Sequence, residues 1–408
     1  MKVLFCHNYY QQTGGEDVSF DDEVALLRAR GHDVVTCLRH NDEIHAASRL
    51  RVSAEAFWSP RSYRGVRRLI AEHRPDIVHC TNTFPLLSPS VYYAALRCGV
   101  PVVQSLRNYR ILCANGLLFR DGAVCEKCLR KPTPWPAVRH RCYRGSVVSS
   151  AVVTAMVGGH WALGTWTRAV DLYITLTRVA REKFIAAGLP EDRLRVKPNF
   201  LPHDPGEGPG DGRFALFVGR LSEEKGVETM LRAWEQGSPA LPLTIIGDGP
   251  LAERVRAAAA ARPERIRWLG PLARDAAFDT IGRATCVLVP SLWFETFGRT
   301  MMEAFAKATP VVASRLGAME ELVTDGVTGL HFTPGDPDDL RAKVAALAAD
   351  EPARQAMRRV ARRRFLDDFT ADANYSQLIA LYEEARTIHA RRTARPPAAR
   401  PPRSLARG

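Results

Sequence analysis

No stretch of this sequence stays apolar long enough to cross a bilayer without interruption. The best candidate, Ser146 to Trp166, is diluted by Gly158, Gly159, His160, Gly164 and several Ser and Thr, whereas a span takes about 20 predominantly apolar residues. A buried helix is expected there, with contact to a membrane surface as the alternative. A secretory leader pattern is also missing. Met1-Lys2 leads straight into the strand-like Val3-Leu4-Phe5-Cys6, so a cytoplasmic protein is expected, with a peripheral place on the inner membrane face kept open. Aromatic residues make up only 8% of the chain, and they nowhere interleave with basic residues in the manner of a nucleic-acid stacking platform, so no nucleic-acid partner is expected. Carboxylates are in deficit: 44 Asp and Glu against 57 Lys and Arg give a formal net charge of +13. That charge draws anions without choosing between an acidic membrane surface, phosphorylated substrates and nucleic acid. Part of the excess lies in the Arg-, Ala- and Pro-rich tail, 388–408, which reads as disordered.

What is present is enough for two cores. A chain of 408 residues exceeds what one core usually sustains. β-Rich runs at Lys2-His7, Asp33-Leu38, Asp76-Cys80, Pro101-Leu106, Asp171-Leu176 and Arg193-Lys197 alternate with helical stretches, the rhythm of a doubly wound parallel sheet. Between Leu201 and Gly212 the sequence is too rich in Pro and Gly for regular structure and reads as a linker. The rhythm then restarts at Phe214-Val218, Leu243-Ile246, Ile266-Leu269, Cys286-Val289, Pro310-Ala313 and Leu330-Phe332. Expected, therefore, are a first domain over 1–203, a second over 213–370, and a helix at 371–387 that is a candidate to pack back on the first. Ligands of such sheets bind outside the carboxyl ends of the strands, which places a cleft between the two domains.

Two segments of the second domain carry chemistry. In Phe217-Val218-Gly219-Arg220-Leu221-Ser222-Glu223-Glu224-Lys225-Gly226, a strand runs into two cations five residues apart. They are suited to the charge that develops on a departing diphosphate. A solvated loop with incidental charges is the competing reading. In Ser291-Leu292-Trp293-Phe294-Glu295-Thr296-Phe297-Gly298-Arg299-Thr300-Met301-Met302-Glu303, one carboxylate stands in a loop and a second stands eight residues later, about one turn into a helix. Gly298 permits close backbone approach, and the helix start offers free N–H groups to phosphate.

The order and spacing of these segments over about 215 to 335, followed by Pro310-Val311-Val312-Ala313-Ser314 and Thr324-Asp325-Gly326-Val327-Thr328-Gly329-Leu330, resemble glycosyltransferase family 4. The resemblance implies a GT-B fold of two Rossmann-like α/β domains and transfer from a nucleotide-sugar, UDP- or GDP-linked, with retention at the anomeric carbon. It implies Arg220 and Lys225 on the diphosphate, Glu295 on donor-sugar hydroxyls, Glu303 on the ribose, and the backbone of Gly219, Phe297 and Gly298 facing the donor. In the first domain Gly14-Gly15 opens a helix after the first strand, as similar Gly-Gly-Glu loops do in that family. Relatives often carry a His after the fourth strand, where this chain has Arg107. Glycan or lipid-linked acceptors, in cell-surface polysaccharide or glycolipid synthesis, are the implied partners. Two other classes stay open: a nucleotide-sugar-binding protein without turnover, and a nucleic-acid binder.

Nine cysteines divide into two groups. Cys6, Cys37, Cys80, Cys98 and Cys286 read as small buried hydrophobes. Cys113, Cys125, Cys128 and Cys142 fall in an insertion at about 107–145, and the two-residue gap of Cys125-Glu126-Lys127-Cys128 suits a zinc knuckle. A structural zinc, free thiols and disulfides are the three readings. No carboxylate arrangement argues for a catalytic divalent ion.

Overall fold

Strands covered on both faces by crossover helices need unbroken aliphatic runs, and these sequences supply them. In the computed structural model, which describes residues 1–394 apart from 13, 45–47, 130 and 132, the first domain is a parallel sheet. Its strands are β1 (Lys2–Tyr9), β2 (Asp33–His40), β3 (Ile77–Asn82), β4 (Val102–Leu106), β7 (Leu172–Thr175) and β8 (Leu194–Val196), in the order β2-β1-β3-β4-β7-β8. Between β4 and β7 the insertion holds a small hairpin, β5 (Phe119–Arg120) with β6 (Ala123–Val124). Asp121 and Gly122 turn it with φ of 53° and 75°, the pair of left-handed residues that a tight hairpin needs.

The second sheet consists of β9 (Ala215–Val218), β10 (Leu243–Ile246), β11 (Ile266–Trp268), β12 (Cys286–Val289), β13 (Val311–Ser314) and β14 (Gly329–Phe332). Their order is β11-β10-β9-β12-β13-β14, all parallel. This is the Rossmann order, and its direction reverses between β9 and β12. In the first sheet the reversal falls between β1 and β3. Ligand crevices of open α/β sheets lie at these reversals, and in both domains the residues expected to bind the donor follow a strand at a reversal.

The linker is not a loose tether. Gly208 N–H donates to Lys307 C=O at 3.0 Å, and Gly210 and Gly212 donate to Gly282 and Arg283 at 2.8 Å each. A Cβ on Gly208 would stand 2.1 Å from Gly282 Cα, so glycine is required by close approach. The last helix, Ala371–Ala394, continues past 387 and lies on the first domain. Leu378, Tyr382 and Ala385 join Val3, Phe5 and Phe20 in one core cluster, and Tyr382 Oη meets His79 Nδ1 at 2.8 Å. Of the tail expected to be disordered, 388–394 belongs to this helix, and 395–408 lies outside the described residues.

Candidate active site

The loops after β9 and β12, adjacent strands at the reversal, are built as one unit. Gly226, with φ 71°, sits so close under Pro290 that a Cβ would be 1.8 Å from its carbonyl oxygen. Leu292 N–H donates to Glu224 C=O at 2.8 Å. These backbone contacts bring Lys225 Nζ to 2.5 Å from Glu295 Oε1, and the same oxygen accepts from Ser291 Oγ at 2.8 Å. Lys225 also lies 5.6 Å over the Trp293 ring. Arg220, on the same loop, is exposed and has no ion pair among the described residues, so its charge is free for a ligand. Gly219 is braced by a loop that the sequence reading passed over. Gly247 and Gly249, with φ of 136° and 157°, would place a Cβ 1.9 Å from Gly219 O and 2.6 Å from Leu221 O. The strand followed by Gly-x-Gly was the available signal.

Gly298, with φ 81°, heads the helix Arg299–Ala306. The N–H groups of Phe297 and Gly298 have no acceptor among the described residues, while the Phe297 ring is buried against Phe369 at 5.8 Å. Glu303 lies a turn into this helix and is half-buried; burial raises its carboxyl above the ordinary range, with Arg299 and Arg274 drawing it back and Asp22 adding to the rise.

Across the cleft, Gly14 caps the helix Gly15–Ala29. Its N–H donates to Asp17 at 3.1 Å, and Asp17 is held from behind by His7 Nε2 at 2.9 Å. A Cβ on Gly15 would meet Arg299 Cδ at 3.3 Å, so this glycine lets the two domains approach. Arg299 itself bridges them, donating to Ser19 at 2.8 Å and Asp22 at 3.0 Å. Thr296 is clamped between domains as well: its hydroxyl donates to Arg107 C=O at 2.9 Å, and its carbonyl accepts from Thr177 Oγ1 at 3.2 Å. Tyr109, from the insertion, has its hydroxyl buried without a partner; burial first, then the charge of Glu295, raises its pKa. Arg299, Thr296 and Tyr109 escaped the sequence reading as cleft residues because their partners are far away in the chain.

Two of the three nitrogens of the Arg107 guanidinium are engaged, and Nε is buried without a partner. Arg107 is ion-paired with Glu23 at 2.9 Å and donates to Asn199 at 2.7 Å. Glu23 also pairs with Lys197 at 2.8 Å, and all three side chains are almost fully buried. Burial alone would raise Glu23, but Lys197 and Arg107 hold it down at about 2.

The four insertion cysteines are not gathered into a ligand set. Among the described residues no group of three or more His, Cys, Asp or Glu is placed to hold a metal ion, and the four are free thiols. Cys113 Sγ turns instead to Asn115 Oδ1 at 3.0 Å and Cys128 Sγ to Pro134 C=O at 3.7 Å. They are neighbours nonetheless: burial, then the nearby Cys113, pushes the Cys128 thiol up to about 12.

Two facing Rossmann-like sheets with ligand-competent loops at their reversals define the GT-B class. Residues 14–199 match the family model "Glycosyl transferase 4-like domain" and residues 203–364 match "Glycosyl transferases group 1", so the two domains are those of a GT-B type glycosyltransferase. The chain is 34% identical over 177 residues to glycogen synthase of Mycobacterium tuberculosis, covering 42% of this chain and 41% of that protein. It is 25% identical over 367 residues to sulfoquinovosyl transferase SQD2 of Arabidopsis thaliana, covering 84% and 65%. The matched parts are thus less than two thirds of these relatives' lengths. In fold it resembles the crystal structure of Anabaena HepE in complex with UDP, with a TM-score of 0.68 at 19% identity over 94% of this chain and 100% of that one.

Proposed function

We propose that the chain is a retaining glycosyltransferase that moves a sugar from a UDP- or GDP-sugar to a glycan or lipid-linked acceptor, in the making of a cell-surface polysaccharide or glycolipid. The observation that carries the reading is the unit at the β9/β12 reversal. There Lys225 stands on Glu295, Arg220 is unpaired, and a glycine-headed helix begins with free N–H groups. Fixed cations and amides aimed at one point stabilise charge that grows on a leaving diphosphate more than they stabilise the ground state. Arg220 and Lys225 take the diphosphate, with the Phe297 and Gly298 amides beside them. Glu295, oriented by Lys225 and Ser291, accepts from donor-sugar hydroxyls, and Glu303 accepts from the ribose. HepE, of the same fold, is seen with UDP, which supports a nucleotide donor. The N-terminal domain serves the acceptor. Its recess, open to solvent, lies at the ends of β3 and β4, lined by Asn82, Gln104, Asn108 and Arg110 among others. Closure of the domains excludes the water that would otherwise hydrolyse the donor.

Calorimetric titration with UDP, GDP, ADP and their sugar conjugates tests this. One series is expected to bind, and Lys225→Ala and Glu303→Ala are each expected to weaken it about tenfold or more, the scale of a lost charge-assisted hydrogen bond. Failure of every nucleotide to bind sinks the reading, and an inverted anomeric centre in the product, read by NMR, sinks its stereochemistry.

A further inference from the structure

Away from the donor loops, the N-terminal domain exposes an apolar surface that nothing in the site uses. It centres on the helix Val147–Ala162, which contains no Asp, Glu, Lys or Arg. At about 100° per residue, Val148, Ala151, Val152, Ala155, Ala162 and the following Leu163 fall on one stripe. A surface helix normally turns polar residues outward there. Here Val148 is 73% and Leu163 58% exposed.

The stripe has two edges, and both prolong it. On one, Thr154 donates to Pro134 C=O at 3.4 Å, and Gly158 lies so near Thr133 that a Cβ would be 3.1 Å away. The neighbouring Trp135 is 53% exposed. On the other, His160 stacks on Phe57 at 4.8 Å, at the end of the helix Arg49–Phe57. That segment adds exposed Phe57, Trp58 and Leu50, the last 85% exposed.

On the insertion side the unpaired charges are of one sign. Lys127, Lys131, Arg139, Arg141 and Arg144 are exposed, and none has an acidic partner among the described residues. The two carboxylates of this stretch, Asp121 and Glu126, are engaged by Arg120 and Lys183. We propose that this face docks on the surface of an anionic bilayer, with the Val147–Ala162 helix lying in the interface. An apolar stripe bordered by unpaired cations is the pattern that combines insertion among acyl chains with attraction to anionic headgroups. The helix lies on the membrane and does not cross it, since among the described residues no helix is long and apolar enough to span. A second copy is the poorer occupant, because pairing two such faces would set two groups of unpaired cations against each other.

The same helices wall the acceptor-side cavity from within: Ala56, Met156 and the following Trp166 line it. At its side Arg110 is held between the rings of Phe84 and Tyr143, at 4.9 and 5.2 Å. On the transferase reading, and resting on it, an acceptor borne by a membrane lipid would enter from the docked side.

Co-sedimentation of the full chain with phosphatidylcholine vesicles, plain or mixed with phosphatidylglycerol, tests the docking face. Binding is expected to the mixed vesicles and little to the plain ones. Val148→Asp with Leu163→Asp, and separately Arg139→Glu with Arg141→Glu and Arg144→Glu, should each lower the partition on the order of tenfold or more, with the wild-type melting temperature retained. Undiminished binding by the Val148/Leu163 variant, or no binding of the wild type at low salt, overturns the proposal. So does a wild-type dimer in sedimentation equilibrium that this variant dissolves, which would assign the face to a second copy. Nucleotide titration of the same variants separates the two readings, since loss of vesicle binding with nucleotide binding intact concerns this face alone.

Discussion

Replacing Glu303 by Gln should make the ligand-free protein more stable and its nucleotide complex weaker, a combination that a merely structural carboxylate does not give. The folded chain holds this side chain half-buried, and burial raises its pKa despite Arg299 at 3.9 Å. At neutral pH the folded state therefore carries an ionised group in a poorer environment than the unfolded chain offers. The native state binds its proton more readily than the unfolded state, so stability falls as pH rises from the unfolded carboxylate value towards the folded one. Glutamine removes that cost. It also removes a charge-assisted acceptor, worth about 1.5–3 kcal/mol, or roughly ten- to hundredfold in affinity. Differential scanning of wild type and variant, with and without the nucleotide that binds, reads both effects at once. The ligand-free variant should melt higher at pH 7.5. Its advantage should vanish below pH 4, where the wild-type carboxyl is protonated in both states. A ligand-free variant that melts lower, or one that binds nucleotide as tightly as the wild type, refutes the assignment of Glu303 to the ligand.

Three further outcomes follow from the geometry. Glu23→Gln leaves Lys197 and Arg107 buried without a counter-charge and should cost about 3–5 kcal/mol in the urea-unfolding transition of the N-terminal domain. Because Glu23 is held at about 2, the stabilisation it supplies is complete above the unfolded carboxylate range and is lost as pH falls towards 2; a flat acid profile would contradict this. Gly226→Ala forces a Cβ onto Pro290 O and a side chain into the left-handed region, so nucleotide affinity should collapse while the N-terminal domain's melting transition is unmoved. Thr296→Val deletes the hydroxyl bond to Arg107 C=O and leaves a buried acceptor unpaired. It should lower kcat about tenfold while nucleotide affinity of the free protein changes less than about twofold, and equal losses in both would place Thr296 in the donor site itself.

The sequence showed most of the scaffold because parallel strands advertise themselves as short aliphatic runs between helical stretches, and all twelve main strands fall within two or three residues of the expected ends. The β5–β6 hairpin was missed although Asp121-Gly122 marked it, since two-residue strands have no periodicity to read. Within the second domain, that Arg220, Lys225, Glu295, Gly298 and Glu303 stand near one another was legible because they lie on two contiguous segments that follow adjacent strands. Arg299 and Thr296 were not, because what they touch is set by how one domain faces the other, and Tyr109 was not, because its ring stacks on Phe184, far along the chain in the first domain. The same limit applies to Arg107. Its position beside the cleft was evident, yet its engagement by Glu23, 84 residues earlier, emerges only in three dimensions. The apolar helix Val147–Ala162 was expected to be buried; it is buried on one side only.

Domain closure can be argued from how the contacts are distributed. The donor-side unit is tied together by bonds inside its own domain: Gly226 against Pro290, Leu292 to Glu224, Lys225 to Glu295. These bonds brace it from within, while Trp293 and Thr296 on the same loop reach across to the first domain. Contacts that cross the cleft are of two kinds: polar ones, Arg299 with Ser19 and Asp22, Thr296 with Arg107 and Thr177, and Glu321 accepting from the N–H groups of Arg178 and Val179 at 3.0 Å each, and apolar ones, in which Trp293, with Leu292 and Phe294, packs against the first domain's core and Leu176 against the second's. Water can replace the polar bonds at small net cost, so what opening must chiefly overcome is the exposure of the apolar contacts around Trp293 and Leu176. The chain passes between the domains twice, near Leu201 and near Phe369-Thr370, and these crossings are paired with each other, Leu201 N–H donating to Phe369 C=O at 3.0 Å. The paired crossings are the covalent hinge about which the domains can turn. A donor unit braced by its own bonds, two chain crossings side by side and a seam part polar and part apolar suit a transferase that must admit a nucleotide-sugar, close on it without water, and release the spent nucleotide.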